Sequence, residues 1–398
     1  MLRLVLSRMK PMYVNANAPK VVVVGAGIVG ASAAYFLAKQ RIAVSLIDTA
    51  GPSAGATGSS DGAVSVASKQ PGMMMTLAQK ARAFYSQLAS EGVLAGIYHP
   101  RPTFLISRTE EEMELLEVHA HDLRASGEET EIADSERLKR FVPGLSDAAI
   151  GGVVVWNDGH ALGYEVTERL LSRSGVEIIR NCRCDAVATA GARVTGVYTS
   201  QGLVSADAIV VAAGLGSSRL LGLEDVLFAR KGQIVITDRG GIGHAAFDGH
   251  LMAASYIAAK RRGSKTAPSR VGLVIDPLKT GQFLLGGTRE DNRSDTGTDI
   301  ESISQIVREA AALYPPLLAR RVIRTFSGVR TATRDGLPIV GQHPTIENLV
   351  LATGFEGDGI CLGPYTGKIV ADIITDKVTE PEYSLLAPQR FLAERAAS

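Results

Sequence analysis

The residues with the clearest chemistry are three glycines at fixed spacing and one acid. Gly25, Gly27 and Gly30 form a Gly-x-Gly-x-x-Gly loop inside KVVVVGAGIVGASAAYFLAKQRIAVSLID, which ends on Asp48. In a strand-loop-helix-strand unit the first glycine makes the tight turn, the second lets backbone approach a pyrophosphate, and the third lets the helix pack close to the strand. The helix starting near Ala26 turns free N–H groups and the positive end of its dipole toward phosphate oxygens. Asp48 can accept hydrogen bonds from a ribose diol and would repel a 2′-phosphate, which disfavours NADP. An apolar strand before the loop, small residues after it and an acid closing the next strand together predict a dinucleotide cradle.

Elements must hold that loop in place, and the chain supplies them in α/β alternation without an internal repeat. A Gly/Ser-rich stretch, GPSAGATGSSDGAVSV, follows the first unit and is too long for a simple turn, so it reads as a functional loop. A helix follows in MMMTLAQKARAFYSQLASEG, with Met74, Leu77, Ala78, Ala81 and Leu88 on its apolar face. Next come a strand at 103–107 and an acidic helix in TEEEMELLEVHAHDLRASG. A second block of nucleotide-domain character spans 163–220 and closes on ADAIVVAAGLGSS, a buried strand of the same sheet. Between 231 and 321 the texture changes to QIVIT, FLLGGTRE and the amphipathic SISQIVREAAALYP, as suits an antiparallel sheet with helices. Strand, glycine loop and helix return in ENLVLATGFEGDGICLGPYTGKIVADIITDK.

These recurrences predict an α/β protein in which a Rossmann-like nucleotide-binding domain is interrupted by a discontinuous antiparallel-sheet substrate domain. The first takes residues 18–99, 162–230 and 324–390, the second 100–161 and 231–323, and 1–17 form an N-terminal tail. A length of 398 residues exceeds one ordinary core. A net charge of +1 and no basic block argue against nucleic acid, and the apolar runs are too short to span a bilayer. Cys182, Cys184 and Cys361 make no four-ligand set, so no metal is expected and the thiols read as reduced in a cytoplasmic setting.

Three separated motifs carry a resemblance: VVVVGAGIVGASAAYFLA with Asp48, then ADAIVVAAGLGSS, then SGVRTATRDGLPIVG followed by LATGFEGDGICLGPYTG. Their order is similar to that of FAD-dependent D-amino-acid oxidase-like proteins, which include glycine oxidase, sarcosine oxidase and D-amino acid dehydrogenases. SSDGAVSVASKQPG and GFEGDGICLGP further resemble the FAD-bearing β-type subunits of heteromeric opine oxidases, hydroxyproline dehydrogenases and hydrogen cyanide synthase.

The resemblance implies one FAD. Gly25, Gly27, Ile28, Val29 and Gly30 would cradle its pyrophosphate, Asp48 would hold the adenosine ribose, and Val187 would meet adenine through backbone. Ala213 and Gly214 would form a second close approach. Gly354, Gly357, Asp358, Gly359 and Ile360 would run beside the flavin, with Ser59, Ser60 and Gly62 on the opposite side. Arg330, in GVRT where relatives read GLRP, would hold the substrate carboxylate through a bidentate guanidinium contact, with Arg289 and Arg334 as weaker alternatives. Glu356 is a further candidate for contact with a cationic substrate arm, although a solvated acidic loop explains Glu356 and Asp358 equally well.

Two departures from the family pattern bear on expectation. Arg41 replaces a glycine at a helix end, which suggests a different cap. Gly328 replaces the cysteine that tethers flavin in sarcosine oxidases, so the FAD is expected to be non-covalent. The implied activity is oxidation of the C–N bond of a small amino acid, secondary amine or opine by hydride transfer to flavin, giving an imine that hydrolyses. It implies a β-type subunit passing electrons to other redox subunits; a stand-alone oxygen-using oxidase and a non-catalytic electron-transfer subunit are the alternatives. A nicotinamide-linked dehydrogenase explains the first motif but leaves GFEGDGICLGPYTG without a role.

Overall fold

The computed structural model describes residues 19–240, 247–262, 271–377 and 381–392; the expected tail, 1–17, lies outside them. Two large sheets organise the chain. The first has six strands in the order Ile339–Gln342, Leu349–Thr353, Ala208–Val211, Lys20–Val24, Ala43–Ile47, Glu177–Ile179. All neighbours are parallel except the first pair. Both faces of the sheet are covered, which is why the Lys20–Val24 strand is an unbroken valine run rather than an alternating one. Val21 and Val23 join the cluster beneath the helices, whereas Val22 and Val24 face a cluster containing Val194 and Val197 of a separate three-stranded meander, Cys184–Ala190, Arg193–Thr199 and Gly202–Ser205.

Helix Ile28–Lys39 packs against helix Gly359–Ile374, and the sequence permits an unusually close approach. A Cβ on Gly367 would lie 2.3 Å from the Ser32 Cβ and 2.6 Å from the Ala33 nitrogen, and one on Gly363 would lie 3.0 Å from Ile28. The two helix starts are thereby brought side by side. Arg41, expected to force a different cap, instead takes the left-handed conformation itself, with φ +63°, and donates its N–H to Ala38. The strain of a side chain there is accepted rather than avoided.

The second sheet has nine strands. Its path runs Glu290–Asp291, Leu227–Thr237, Phe283–Thr288, Val271–Pro277, His250–Ala253, Thr103–Ser107, Gly151–Val155, Thr130–Asp134, with Val322–Thr333 paired to Leu227–Thr237. Pairing is antiparallel apart from His250–Ala253 beside Thr103–Ser107, so the expected antiparallel sheet is in fact mixed. Helix Ile300–Leu313 covers one face through Ile303, Ile306, Ala310 and Leu313, capped by Asp299, whose carboxylate accepts from the Ser302 N–H at 2.8 Å.

The long pair Leu227–Thr237 and Val322–Thr333 matters most for position. The domain limits expected at 230/231 and 323/324 fall inside these two strands, which are continuous across them. Helix Met73–Ser90 buries Met75 rather than Met74 alongside Leu77, Ala78, Ala81 and Leu88. In the acidic helix Glu110–Ala125, His119 is buried against the Ala67 carbonyl at 2.7 Å while His121 is exposed.

Candidate functional site

The glycine loop is held by backbone geometry that only glycine tolerates. Gly25 has φ +104°, and a Cβ there would lie 2.4 Å from the Ala212 carbonyl oxygen and 2.8 Å from the Ala213 Cα. A Cβ on Gly30 would fall 1.9 Å from the Gly25 oxygen. These approaches press the loop against the end of strand Ala208–Val211, joining Gly25 to Ala213 and Gly214 as expected. Gly214 has φ +54°, and its carbonyl accepts from the Thr353 hydroxyl at 3.1 Å.

Asp48 does more than the sequence suggested. One carboxylate oxygen accepts the Ala26 N–H at 2.8 Å, and the other accepts from Ala50 and Gly51, each at 2.8 Å. Three of its roughly four lone-pair sites are thus spent, one on the glycine loop and two on the turn that follows Asp48, and one stays open for a hydroxyl. At the helix start, the Ile28 N–H donates to Thr57 Oγ1 at 3.0 Å. Among the described residues the amides of Gly27, Val29 and Gly30 find no partner. Unpaired amides at a helix start, glycines that leave no side chain in the way and an acid with one free lone pair fit a dinucleotide pyrophosphate and its ribose.

Beyond this loop lies a cleft between the two sheets. It is bounded by Ile28 and Ile360 at the two helix starts, by Ser59, Ser60 and Asp61, and by Arg289, Arg330 and Glu356. Gly163 packs where a Cβ would meet Ile360 at 2.5 Å and the Thr57 carbonyl at 2.8 Å. Gly354 has φ +76°, and the Glu356 N–H donates to the Thr331 carbonyl at 2.8 Å, which fixes the GFEGDG turn over the strand bearing Arg330.

Arg330 stands directly opposite Arg230 across the strand pair, and the two differ in their partners. Arg230 is bound by Asp291 and, at 2.9 Å, by Glu356, which also pairs with Arg289. Arg330 donates only to the Thr288 carbonyl, at 3.3 Å, and meets no carboxylate among the described residues. Its guanidinium occupies space left by Gly232, where a Cβ would lie 2.5 Å from the nearest nitrogen. Asp335, the acid that might have claimed Arg330, pairs instead with Arg390 at 2.7 Å, and Arg334 is exposed.

The structure brings together Gly25, Gly27, Gly30, Asp48, Ala213 and Gly214 at the loop, and Ser59, Ser60, Gly357, Gly359, Ile360, Glu356 and Arg330 around the cleft. Gly62, with φ +89°, lies against His160 and does not line this cleft. Asp358 is turned to a buried ion pair with Lys69. Val187, paired with Val197 in the meander, packs against the cluster that holds Val24 and Ile47, and the backbone that meets Asp48 belongs to Ile179 and Cys182. Gly328 lies under the Ser59 loop, where a Cβ would come 2.6 Å from the Ser59 Cβ, so a side chain there would displace the loop.

Two residues of the cleft are not singled out by the sequence: Gly232, inside a strand, and Asp61, which is covered only as part of the GPSAGATGSSDGAVSV functional loop. Asp61 is half-buried, and among the described residues its carboxylate accepts only the Ala63 N–H, at 3.2 Å. Burial and nearby Asp276 push its carboxyl above the usual range, against the opposing pull of Arg330 and His250. Behind it, Asp276 accepts from His250 and from Arg101, at 2.9 Å, and the His160 Nε2–H donates to the Asp61 carbonyl at 2.8 Å. Burial, then Arg101, lower the His160 pKa to about 3, so that ring is neutral.

A doubly covered parallel sheet with two abutting glycine turns and unpartnered helix-start amides defines a dinucleotide-binding enzyme scaffold. The family model "DAO: FAD dependent oxidoreductase" matches residues 20–373, and the chain belongs to that family of FAD-dependent enzymes. Glycine oxidase of Geobacillus kaustophilus is 26% identical over 385 residues, covering 90% of this chain and 93% of its own. Hydrogen cyanide synthase subunit HcnC of Pseudomonas aeruginosa is 24% identical, covering 95% of this chain and 97% of its own. The crystal structure of glycine oxidase from Bacillus cereus superposes with a TM-score of 0.81 at 26% identity, covering 92% of this chain and 97% of its own.

Proposed function

We propose that the chain oxidises the C–N bond of a small amino acid, secondary amine or opine, with Arg330 as anchor for the substrate carboxylate. The observation that carries this reading is an arginine in a cleft beside the cofactor loops that has no acid partner among the described residues, while its cross-strand neighbour has two. A planar guanidinium left with one carbonyl contact keeps donors for a bidentate carboxylate bond. Glycine oxidase relatives, named for an amino acid, support the substrate class.

FAD, when bound, supplies the acceptor for a hydride equivalent from the carbon bearing nitrogen. The protein's part is to hold the carboxylate on Arg330, keep Gly232 clear of that guanidinium, and present the C–H bond within the walls set by Ile28, Ile360 and Tyr256. Water then hydrolyses the released imine. Ser59 and Ser60 serve as loop contacts, and a tethering side chain at Gly328 would collide with Ser59, which supports a non-covalent FAD. Glu356, shared between Arg230 and Arg289, is read as the residue that withdraws those two cations from competition for the carboxylate, with direct contact to a basic substrate arm as its alternative role.

In this reading residues 18–99, 162–230 and 324–390 make the FAD-binding domain and 100–161 and 231–323 the substrate domain, with the long strand pair as their seam. The likeness to a hydrogen cyanide synthase subunit supports a β-type subunit, cytoplasmic, passing electrons to a centre on another polypeptide. The glycine oxidase matches favour a second reading, a stand-alone oxidase. Reoxidation of the substrate-reduced protein in air decides between them: slow return of flavin colour supports the subunit, and rapid turnover with stoichiometric peroxide supports the oxidase.

A further inference from the structure

We propose that Asp61 receives the substrate's ammonium group and takes one of its protons, so that the amine is oxidised in its neutral form. The inference rests on the carboxylate anchor assigned to Arg330. An α-amino acid presents a carboxylate and, on the adjoining carbon, an ammonium. Among the described residues, the cleft presents a guanidinium without an acid partner and one carboxyl that is not ion-paired, Asp61. The other acid lining it, Glu356, is bound to two arginines.

Asp61 is placed to exchange a proton rather than merely hold a charge. It lines both this cleft and an adjoining one with Lys69, His250 and Tyr256. Its single hydrogen bond leaves most of its acceptor capacity free. The groups facing it are Asp276, His250, His160 and Arg101 from the side of the nine-stranded sheet, and Arg330 and Arg289 across the cleft. Asp276 stays ionised: burial works against it, but His250 and Arg101 hold its carboxyl below the ordinary value. A fixed negative charge behind Asp61, together with burial, makes Asp61 a better proton acceptor than a surface carboxylate.

The proton balance is simple. The N–H bond of the ammonium breaks, its electron pair stays on nitrogen, and the proton forms an O–H bond on Asp61. The nitrogen lone pair then forms the C=N bond as the α-hydrogen leaves with its electron pair to FAD, and Asp61 returns its proton to solvent.

The sign of the pH dependence follows. Asp61 repels a bare carboxylate while ionised and ceases to when protonated. Acetate, which has no amine, is the probe, and its dissociation constant is read from perturbation of the flavin spectrum of the holoenzyme between about pH 5 and pH 9. Acetate should bind about tenfold tighter as pH falls through the raised Asp61 range. In Asp61→Asn, binding should be tight and flat with pH. Flavin reduction by an amine substrate should slow about 100-fold in Asp61→Asn at neutral pH, with the gap closing at high pH where the amine is already neutral. Asp61→Glu should restore the limb, and the flavin-to-protein ratio shows that each variant is loaded. If the acetate dependence persists in Asp61→Asn, or the loss of rate is the same at every pH, Asp61 is not the proton acceptor. If acetate binds neither wild type nor Asp61→Asn, the Arg330 anchor fails and this inference with it.

Discussion

The cofactor loop and the substrate-facing cleft are built from different material. The loop is backbone: three glycines within six residues, a strand end and one acid whose carboxylate accepts the loop's Ala26 N–H and the Ala50 and Gly51 N–H groups of its own turn. The cleft is side chains from distant segments: Asp61 from a loop, Arg330 from the large sheet, Arg289 from the link between two of its strands, and Glu356 from the turn before a helix. A backbone site fails sterically when a methyl group is added. A side-chain site fails electrostatically, one charge at a time, and leaves the fold intact.

The largest break is therefore expected at the loop. Gly30→Ala, placing Cβ 1.9 Å from the Gly25 oxygen, should cost roughly 3 kcal/mol or more and release FAD together with stability. Flavin content and thermal unfolding of the purified variant check this; a fully loaded, equally stable variant would show that the loop can yield.

Arg330→Ala should act in the opposite manner. FAD content and melting temperature should stay unchanged while the apparent substrate constant rises by a factor corresponding to roughly 2–4 kcal/mol, because a desolvated carboxylate loses its partner. Loss of flavin in this variant would erase the distinction between the two regions.

Gly232→Ala tests the same charge at one remove. Its Cβ would lie 2.5 Å from the end of a flexible side chain, which can shift, so about tenfold weaker substrate binding with intact FAD is expected, near 1.4 kcal/mol. Glu356→Gln should have the smallest effect. It frees Arg230 and Arg289 from their shared acid and should restore part of the affinity for acetate when added to Arg330→Ala, measured by spectral titration. No recovery would mean that neither arginine reaches the carboxylate.

This contrast also explains what the sequence disclosed. Gly25, Gly27, Gly30 and Asp48 are contiguous and constrained by sterics, so their spacing is itself the signal, and the strands around them read from valine runs and alternation. Arg330 was reachable only through resemblance, because nothing local in GVRT tells a clamped arginine from an unclamped one. That difference lies in Asp335, which pairs with Arg390 far along the chain, and in Glu356, which takes up Arg230 and Arg289. Val187 was placed at the adenine end by analogy; the meander packs it against the cluster that holds Val24 and Ile47, and Ile179 and Cys182 bond the Asp48 backbone. Gly232 gave no warning and Asp61 only that of the functional loop it sits in, since a strand glycine and a loop acid acquire their particular meaning from cross-strand and cross-cleft neighbours.

The most direct test is anaerobic mixing of the purified holoprotein with glycine, D-amino acids, sarcosine, proline derivatives and opines, following the visible absorbance of its own flavin. Bleaching by at least one carboxylate-bearing amine, slowed or abolished in Arg330→Ala at equal FAD content, is the predicted result. Bleaching that proceeds equally well in Arg330→Ala, or with amines lacking a carboxylate, would contradict the account.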